Sequence, residues 1–316
     1  MILRTPVRKS RATLVTTSTI TIAFLAFLAG CTAESSGNGE TGAVSEPART
    51  VEHARGATEV PAQPQRVVVL EPVQLDTSVA LGVMPVGTTV FGSASGAPDY
   101  LGPRAAQIEA VGTVPEPSLE AIAALHPDLI LGTETRHGEF YEQLSAIAPT
   151  VFMASQSDPW QENVDLVATA LGKREEASRL LADYDDRCAE IREEFSTEGQ
   201  TAQLIRPRED ILTLYGPTSF AGSTLECAGF TTPDRDWAGE ISIDISPELV
   251  AQAEADLVVV TSPTPGDPGT LPDVVTNSVA QFPRLHLVDQ AYWIAGVGPL
   301  GGMTVLDDIE KILQEG

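Results

Sequence analysis

Residues 173–195 run 23 positions without a proline or glycine, and Ala177, Leu180, Leu181, Tyr184, Cys188, Ile191 and Phe195 recur there at helical spacing. A single apolar stripe of period 3.6 on an otherwise charged segment predicts one uninterrupted helix. At 1.5 Å per residue such a helix is roughly 35 Å long, about the width of a small domain. Placed mid-chain, a rod of that length can hold two folded halves at a fixed separation. An ordinary surface helix would carry the same stripe. Asp158-Pro159-Trp160-Gln161 predicts a second helix just before it, with Asp158 as N-cap, Pro159 at the first helical position and Gly172 as the stop. Trp160 is assigned to packing at that helix start.

On both sides of the rod, short apolar runs alternate with amphipathic ones. Residues 67–70 form an unbroken apolar run, as a parallel strand covered on both faces requires. Helix 75–81, strand 85–90, helix 118–126, strand 127–131, helix 138–148 and strand 150–153 follow. Beyond the rod, strands 202–205, 211–215, 257–260 and 285–288 alternate with helices 220–228, 247–255, 274–282 and 299–314. Such alternation implies an α/β fold with a parallel sheet in each half.

The halves share a repeat. Ser118-Leu119-Glu120-Ala121-Ile122, leading into Pro127-Asp128-Leu129, matches Ser246-Pro247-Glu248-Leu249-Val250, leading into Ala255-Asp256-Leu257. Each copy reads as a Ser-capped helix with an acid in its first turn, followed by a tight turn into a buried strand. The repeat puts an equivalent glutamate, Glu120 or Glu248, on each half.

The amino terminus constrains location. Arg4, Arg8, Lys9 and Arg11 precede an apolar run over 14–29 that ends in Leu28-Ala29-Gly30-Cys31. That run is shorter than the roughly 20 residues of a bilayer span and has the layout of a secretory signal. Leu-Ala-Gly-Cys resembles a lipobox, in which Cys31 is acylated and becomes the first mature residue. The small and polar residues that follow read as a flexible leash. The predicted organisation is a signal over 1–30, a tether over 31–60, a first α/β lobe over 61–158, helices including the rod over 159–196, and a second α/β lobe over 197–316. Outside the cell, Cys188 and Cys227 could pair as a disulfide or stay as separate buried thiols.

Charge excludes one class of partner. Without the first thirty residues, 15 of the 19 Lys and Arg face 44 Asp and Glu, a formal charge of −29. Such a surface repels phosphate backbones, so nucleic acid is excluded, and neutral or cationic cargo is mildly favoured over polyanions. His53, His126, His137 and His286 show no paired metal-ligand spacing, so no metal site is indicated. Gly296-Val297-Gly298-Pro299-Leu300-Gly301 imitates a dinucleotide motif but is spoiled by Pro299. Neither Ser219 nor Ser246 has a partnered histidine nearby, and no catalytic residue or cofactor is assigned.

Several stretches resemble the iron–siderophore and cobalamin periplasmic-binding family. They are Gln65-Arg66-Val67-Val68-Val69-Leu70 with Leu75-Asp76 through Gly82-Val83-Met84-Pro85-Val86-Gly87, then Val111-Gly112-Thr113-Val114-Pro115-Glu116-Pro117-Ser118-Leu119-Glu120. Tyr215-Gly216-Pro217-Thr218-Ser219-Phe220-Ala221-Gly222 with Ile245-Ser246-Pro247-Glu248 is similar to its ferric-siderophore branch. The resemblance implies two Rossmann-like lobes joined by one long interdomain helix, the class III periplasmic-binding-protein fold. It implies a lipid-anchored monomer that captures a ferric siderophore and delivers it to an ABC permease dimer with its ATPase. Haem or cobalamin as cargo stays open, as does a different class of function, a secreted enzyme or a structural surface lipoprotein. Glu120 and Glu248 match family positions that meet permease arginines. Some members carry an Arg after the glycine matching Gly112; Thr113 stands there instead, so any arginine contact must come from elsewhere.

A bulky, oxygen-rich iron complex calls for aromatic surface and for Arg or Tyr donors. In α/β folds the crevice lies at the carboxyl ends of strands. On that ground Glu71, Phe91, Arg136, Arg206, Tyr215, Trp237, Tyr292 and Trp293 are the candidate ligand-binding residues.

Overall fold

The architecture comes from a computed structural model describing residues 48–92, 94–157, 159–278 and 282–315. The lipobox, Cys31 and Asp158 lie outside the described residues.

The chain enters through a hairpin, β1 (Arg49–His53) and β2 (Gly56–Val60), paired antiparallel. This corrects the tether over 31–60: ordered structure is in place by Arg49. Each strand buries only a single valine, Val51 or Val60, so neither shows an apolar run in the sequence. The hairpin is fixed by Ala54 N–H donating to the Phe152 carbonyl at 3.0 Å and the Thr58 hydroxyl donating to the Thr150 carbonyl at 3.1 Å.

The first half contains β3 (Val67–Val69), α1 (Pro72–Ala80), β4 (Gly87–Val90), β5 (Glu109–Thr113), α2 (Leu119–Ala124), β6 (Leu129–Thr133), α3 (Glu134–His137), α4 (Tyr141–Ser145) and β7 (Thr150–Met153). Its five strands lie in the order β5-β4-β3-β6-β7, all parallel, with β3 buried along its whole length. Strand order therefore reverses beside β3, which opens a crevice at the carboxyl ends of β3, β4 and β6. Helix α1 begins at Pro72, three residues before the apolar stripe becomes visible, because proline suits the first helical turn.

Helix α5 (Trp160–Leu171) follows, ended by Gly172 in the left-handed region at φ 71°, where Lys173 N–H reaches back to the Ala168 carbonyl at 2.8 Å. Pro159 occupies the N-cap rather than the first helical position. The rod is α6 (Arg174–Phe195), 22 residues long, burying Ala177, Tyr184, Cys188 and Ile191 along the predicted stripe.

The second half contains β8 (Ala202–Arg208), β9 (Ile211–Tyr215), α7 (Phe220–Cys227), β10 (Ser242–Ile245), β11 (Leu257–Ser262), α8 (Asp273–Asn277), β12 (Leu285–Asp289), α9 (Gln290–Trp293) and α10 (Pro299–Glu315). Its order is β10-β9-β8-β11-β12, but only the β8–β11 and β11–β12 pairings are parallel, and β9 alone runs against the other four strands. Glu209 and Asp210 alone connect β8 to β9, and a link that short can only make a hairpin, so β9 runs antiparallel. A wholly parallel second sheet is thus corrected to a mixed one.

The repeated segments are equivalent where the sheet begins. Asp128 accepts the backbone N–H groups of Gln65 and Arg66 at 2.8 and 2.9 Å, ahead of β3. Asp256 accepts the N–H and hydroxyl of Thr201 at 2.8 and 2.9 Å, ahead of β8. Their caps differ. Ser118 Oγ accepts Ala121 N–H, whereas Ser246 makes no side-chain cap and Pro247–Ala253 winds as a 3-10 helix.

One apolar core runs through both halves, from Val67, Leu129 and Leu131 through Trp160, Tyr184 and Ile191 to Leu204, Leu257 and Val305. The Trp160 ring meets the rings of Tyr184 and Phe220 edge-on at 5.1 and 5.6 Å, joining α5, the rod and α7. The rod is pinned to the second half by the Cys188–Cys227 disulfide and by the Tyr184 hydroxyl on Thr224 at 3.0 Å. Helix α10 packs against both α1 and the rod; at Gly302 a Cβ would lie 2.9 Å from the Tyr184 ring, so glycine permits the close approach of α10 to the rod.

Candidate functional site

Between the two sheets lies a solvent-open cleft of about 160 Å3. From the first half, Glu71 stands between β3 and α1, Phe91 follows β4, and Arg136 sits on the short α3 that follows β6. From the second come Arg206 on β8, Tyr215 at the end of β9, and Trp293 on α9 after β12. Of the eight predicted ligand residues, these six line one cavity: Glu71, Phe91, Arg136 and Trp293 lie just beyond strand carboxyl ends, Arg206 lies within β8, and Tyr215 ends the antiparallel β9.

Two do not. Trp237 packs against the Gly216 backbone and the second half's own core: its ring lies 2.8 Å from where a Cβ on Gly216 would stand, and the Arg235 guanidinium covers it at 5.2 Å. Tyr292 points away, donating its hydroxyl to Asp308 at 2.7 Å with its ring edge-on to Tyr100 at 6.2 Å. Asp308 also accepts the Trp293 indole N–H at 3.0 Å, which fixes the orientation of that cleft wall.

Trp160 is more than helix-start packing. It lines the cleft, 4% exposed, and its indole N–H is buried without a hydrogen-bond partner. Gln156 and Asn163 line it as well. Their polarity hides them among ordinary surface residues; only the rule that loops after strands face the crevice points to Gln156.

Electrostatically the cleft departs from the acidic chain around it. Arg136 donates to Glu71 Oε2 at 2.8 Å, and Glu71 is only 2% exposed. Burial pushes the Glu71 carboxyl up to about 7, against the pull of Arg136 and Thr133 towards the charged form. Arg206 has no carboxylate partner among the described residues. Its guanidinium stands 5.6 Å from the Phe91 ring, reaching from the second half to the first, and its Nε is buried without a partner. Two guanidinium groups against one carboxylate leave a local excess of positive charge, suited to an anionic guest despite the acidic surface.

Behind Arg136, buried His137 takes the Thr133 N–H on Nδ1 at 3.1 Å and faces the Val114 carbonyl with Nε2 at 2.7 Å. Burial lowers its pKa, so it holds α3 in place as a neutral imidazole. Thr113 is not a cleft residue. Glu120 and Glu248 are exposed in the first turns of their helical segments. Among the described residues, no cluster of three His, Cys, Asp or Glu side chains could hold a metal ion, and no helix is long and apolar enough to cross a membrane.

The sequence profile described as Periplasmic binding protein matches residues 67–281, which contain the first sheet, the rod and most of the second sheet. The chain belongs to the periplasmic binding protein family. Its architecture is that of the class III members: this binding protein superimposes on Staphylococcus aureus SirA complexed with staphyloferrin B with a TM-score of 0.73 at 27% identity, covering 84% of this chain and 98% of SirA. The "Probable siderophore-binding lipoprotein YfiY" of Bacillus subtilis is 36% identical over 211 residues, 66% of this chain and 64% of that protein, so the match spans less than two thirds of that relative's length. The achromobactin-binding periplasmic protein of Dickeya dadantii is 30% identical over 264 residues, 79% of this chain and 86% of that one. The family is one of substrate-binding proteins.

Proposed function

We propose that this binding protein captures an anionic ferric siderophore between its two sheets and delivers it to an ABC permease dimer driven by its ATPase. The observation that carries the reading is the pair of guanidinium groups, Arg136 and Arg206, entering one cleft from opposite halves with aromatic rings beside them. A ferric complex with carboxylate-type oxygens offers anionic acceptors at its rim and apolar surface between them, which arginines and rings complement. Staphyloferrin B, named with SirA, and achromobactin, named for the Dickeya dadantii relative, support a siderophore as the cargo.

In this reading the complex is cargo, bound without turnover and released intact, so no residue is assigned a catalytic role. Cys31 carries the lipid that holds the protein at the outer face of the membrane. Glu120 and Glu248, exposed at equivalent positions of a repeated segment, dock as a monomer's two acidic points against the permease.

Tryptophan fluorescence tests the cargo class directly, because Trp160 and Trp293 line the cleft. Titration with ferric citrate, ferric staphyloferrin B, a ferric trihydroxamate, haem and cobalamin should quench emission at micromolar concentration for the ferric carboxylate complexes. Quenching by haem or cobalamin alone, or by none of the panel, contradicts the reading.

A further inference from the structure

Glu71 is the only acid among the described residues lining the cleft, and its two oxygens are treated unequally. Oε2 accepts Arg136, whereas Oε1 is buried with no hydrogen-bond partner. The hydroxyl of Thr133 is near enough to bias the carboxyl towards its charged form but lies outside ordinary hydrogen-bond geometry. A buried carboxylate with so few good partners is costly in its charged form. With its pKa at about 7, modest changes in the surrounding field decide its charge near neutral pH.

Arg136 occupies the boundary. Its side chain is 35% exposed and faces the cleft, while the partner carboxylate is buried. The other charged or titratable groups facing this pair are few. Arg206 and Tyr215 approach from β8 and β9, and His137 lies behind on α3, held neutral by burial. Helix α5 presents Trp160 and Asn163, and α9 presents Trp293, none of which titrates. The amino end of α1 and Arg136 favour the Glu71 anion in the empty cleft. An anionic guest seated between Arg136 and Arg206 reverses that balance, since it competes for the same guanidinium and places a second negative charge beside Glu71.

We propose that Glu71 gates Arg136: in the cargo-free cleft its carboxylate holds the guanidinium, and an anionic group of the arriving ferric complex takes the guanidinium over as Glu71 accepts one proton from solvent. The inference rests on the cargo reading above. It makes binding proton-coupled, with capture strengthened on the acid side of neutrality and weakened on the alkaline side.

The test measures the affinity for ferric citrate and ferric staphyloferrin B from pH 5.5 to 8.5, in the wild-type protein and in Glu71→Gln. Proton uptake is read in parallel by calorimetry in buffers of different ionisation enthalpy. The wild type should bind with uptake approaching one proton at alkaline pH, and its affinity should fall by up to about tenfold per pH unit above neutrality. Glu71→Gln, which cannot ionise, should bind about tenfold more tightly than the wild type at pH 8 and match it near pH 6. Comparing the two proteins with one complex removes the titration of the complex itself. Equal pH slopes in both proteins, or binding without proton uptake by the wild type, overturns the gate while leaving the cargo reading intact. Failure of both complexes to bind at any pH overturns the gate together with the anionic-cargo reading.

Discussion

The carboxylate of Asp76, on α1, accepts the backbone N–H of Gly301 at 2.8 Å across 225 positions of sequence, and that of Leu300 at 2.9 Å. Both donors belong to the first turn of α10, so an acid from the first half caps a helix from the second. The Tyr100 hydroxyl completes the carboxylate's shell at 2.9 Å. With the rod and the shared core, this contact makes the separation of the two sheets a fixed property of the fold.

Asp76→Ala should therefore destabilise the protein by about 3–5 kcal/mol, because it orphans a buried and a half-buried backbone donor and a tyrosine hydroxyl at once. Asp76→Asn keeps one acceptor and should lose less. Urea denaturation measures both; an alanine variant within about 0.5 kcal/mol of the wild type would show that the contact fixes nothing.

Cys188 and Cys227 join the rod to α7 over a separation of 39 residues. A loop of that length corresponds to about 4 kcal/mol of stabilisation in the chain-entropy view. Replacing both by serine should lower stability by an amount of that order and leave cargo affinity within about twofold, since neither cysteine lines the cleft. A large loss of affinity at unchanged stability would assign the bridge to the site instead.

How far the sequence discloses this structure depends on what each residue does. The rod, the stop at Gly172 and the strand runs follow from periodicity and from glycine, both local properties. The hairpin over 49–60 escapes because each strand buries a single valine and is otherwise fixed by hydrogen bonds of its backbone and polar side chains to distant residues such as Thr150 and Phe152. The antiparallel β9 follows from a two-residue connection, which is visible only once both strands are known to be paired. Within the site, six of eight candidates converge because they sit near strand ends. Trp237 lies in the loop after α7 and Tyr292 on α9 just after β12, but their rings turn towards Gly216 and Tyr100. Side-chain direction at a loop is set by tertiary neighbours, which a linear pattern does not encode.

Arg206 and Arg136 should differ in their effect on cargo. Arg206 has no acid to lose, so Arg206→Ala removes a free guanidinium and should weaken binding of a ferric carboxylate complex by about 10- to 100-fold. Arg136→Ala also orphans Glu71 and should lower stability as well as affinity. Trp237→Ala, outside the cleft, should lower stability more than affinity. Fluorescence titration combined with denaturation separates these outcomes, and equal affinity losses for Arg206→Ala and Trp237→Ala would contradict the placement.

Glu120→Ala combined with Glu248→Ala should abolish uptake of the ferric complex into cells while leaving its affinity for the purified protein unchanged. Both carboxylates are exposed and neither lines the cleft. Uptake at the wild-type rate, or lost binding, would contradict the docking assignment.

An iron complex seated between the two sheets can be located by its iron, without reference to any side chain. Crystals grown with ferric staphyloferrin B and measured at the iron absorption edge should give one anomalous peak within the cleft bounded by Arg136, Arg206 and Trp293. An iron peak outside that cleft, or protein crystals saturated with the complex that show none within it, would contradict the account.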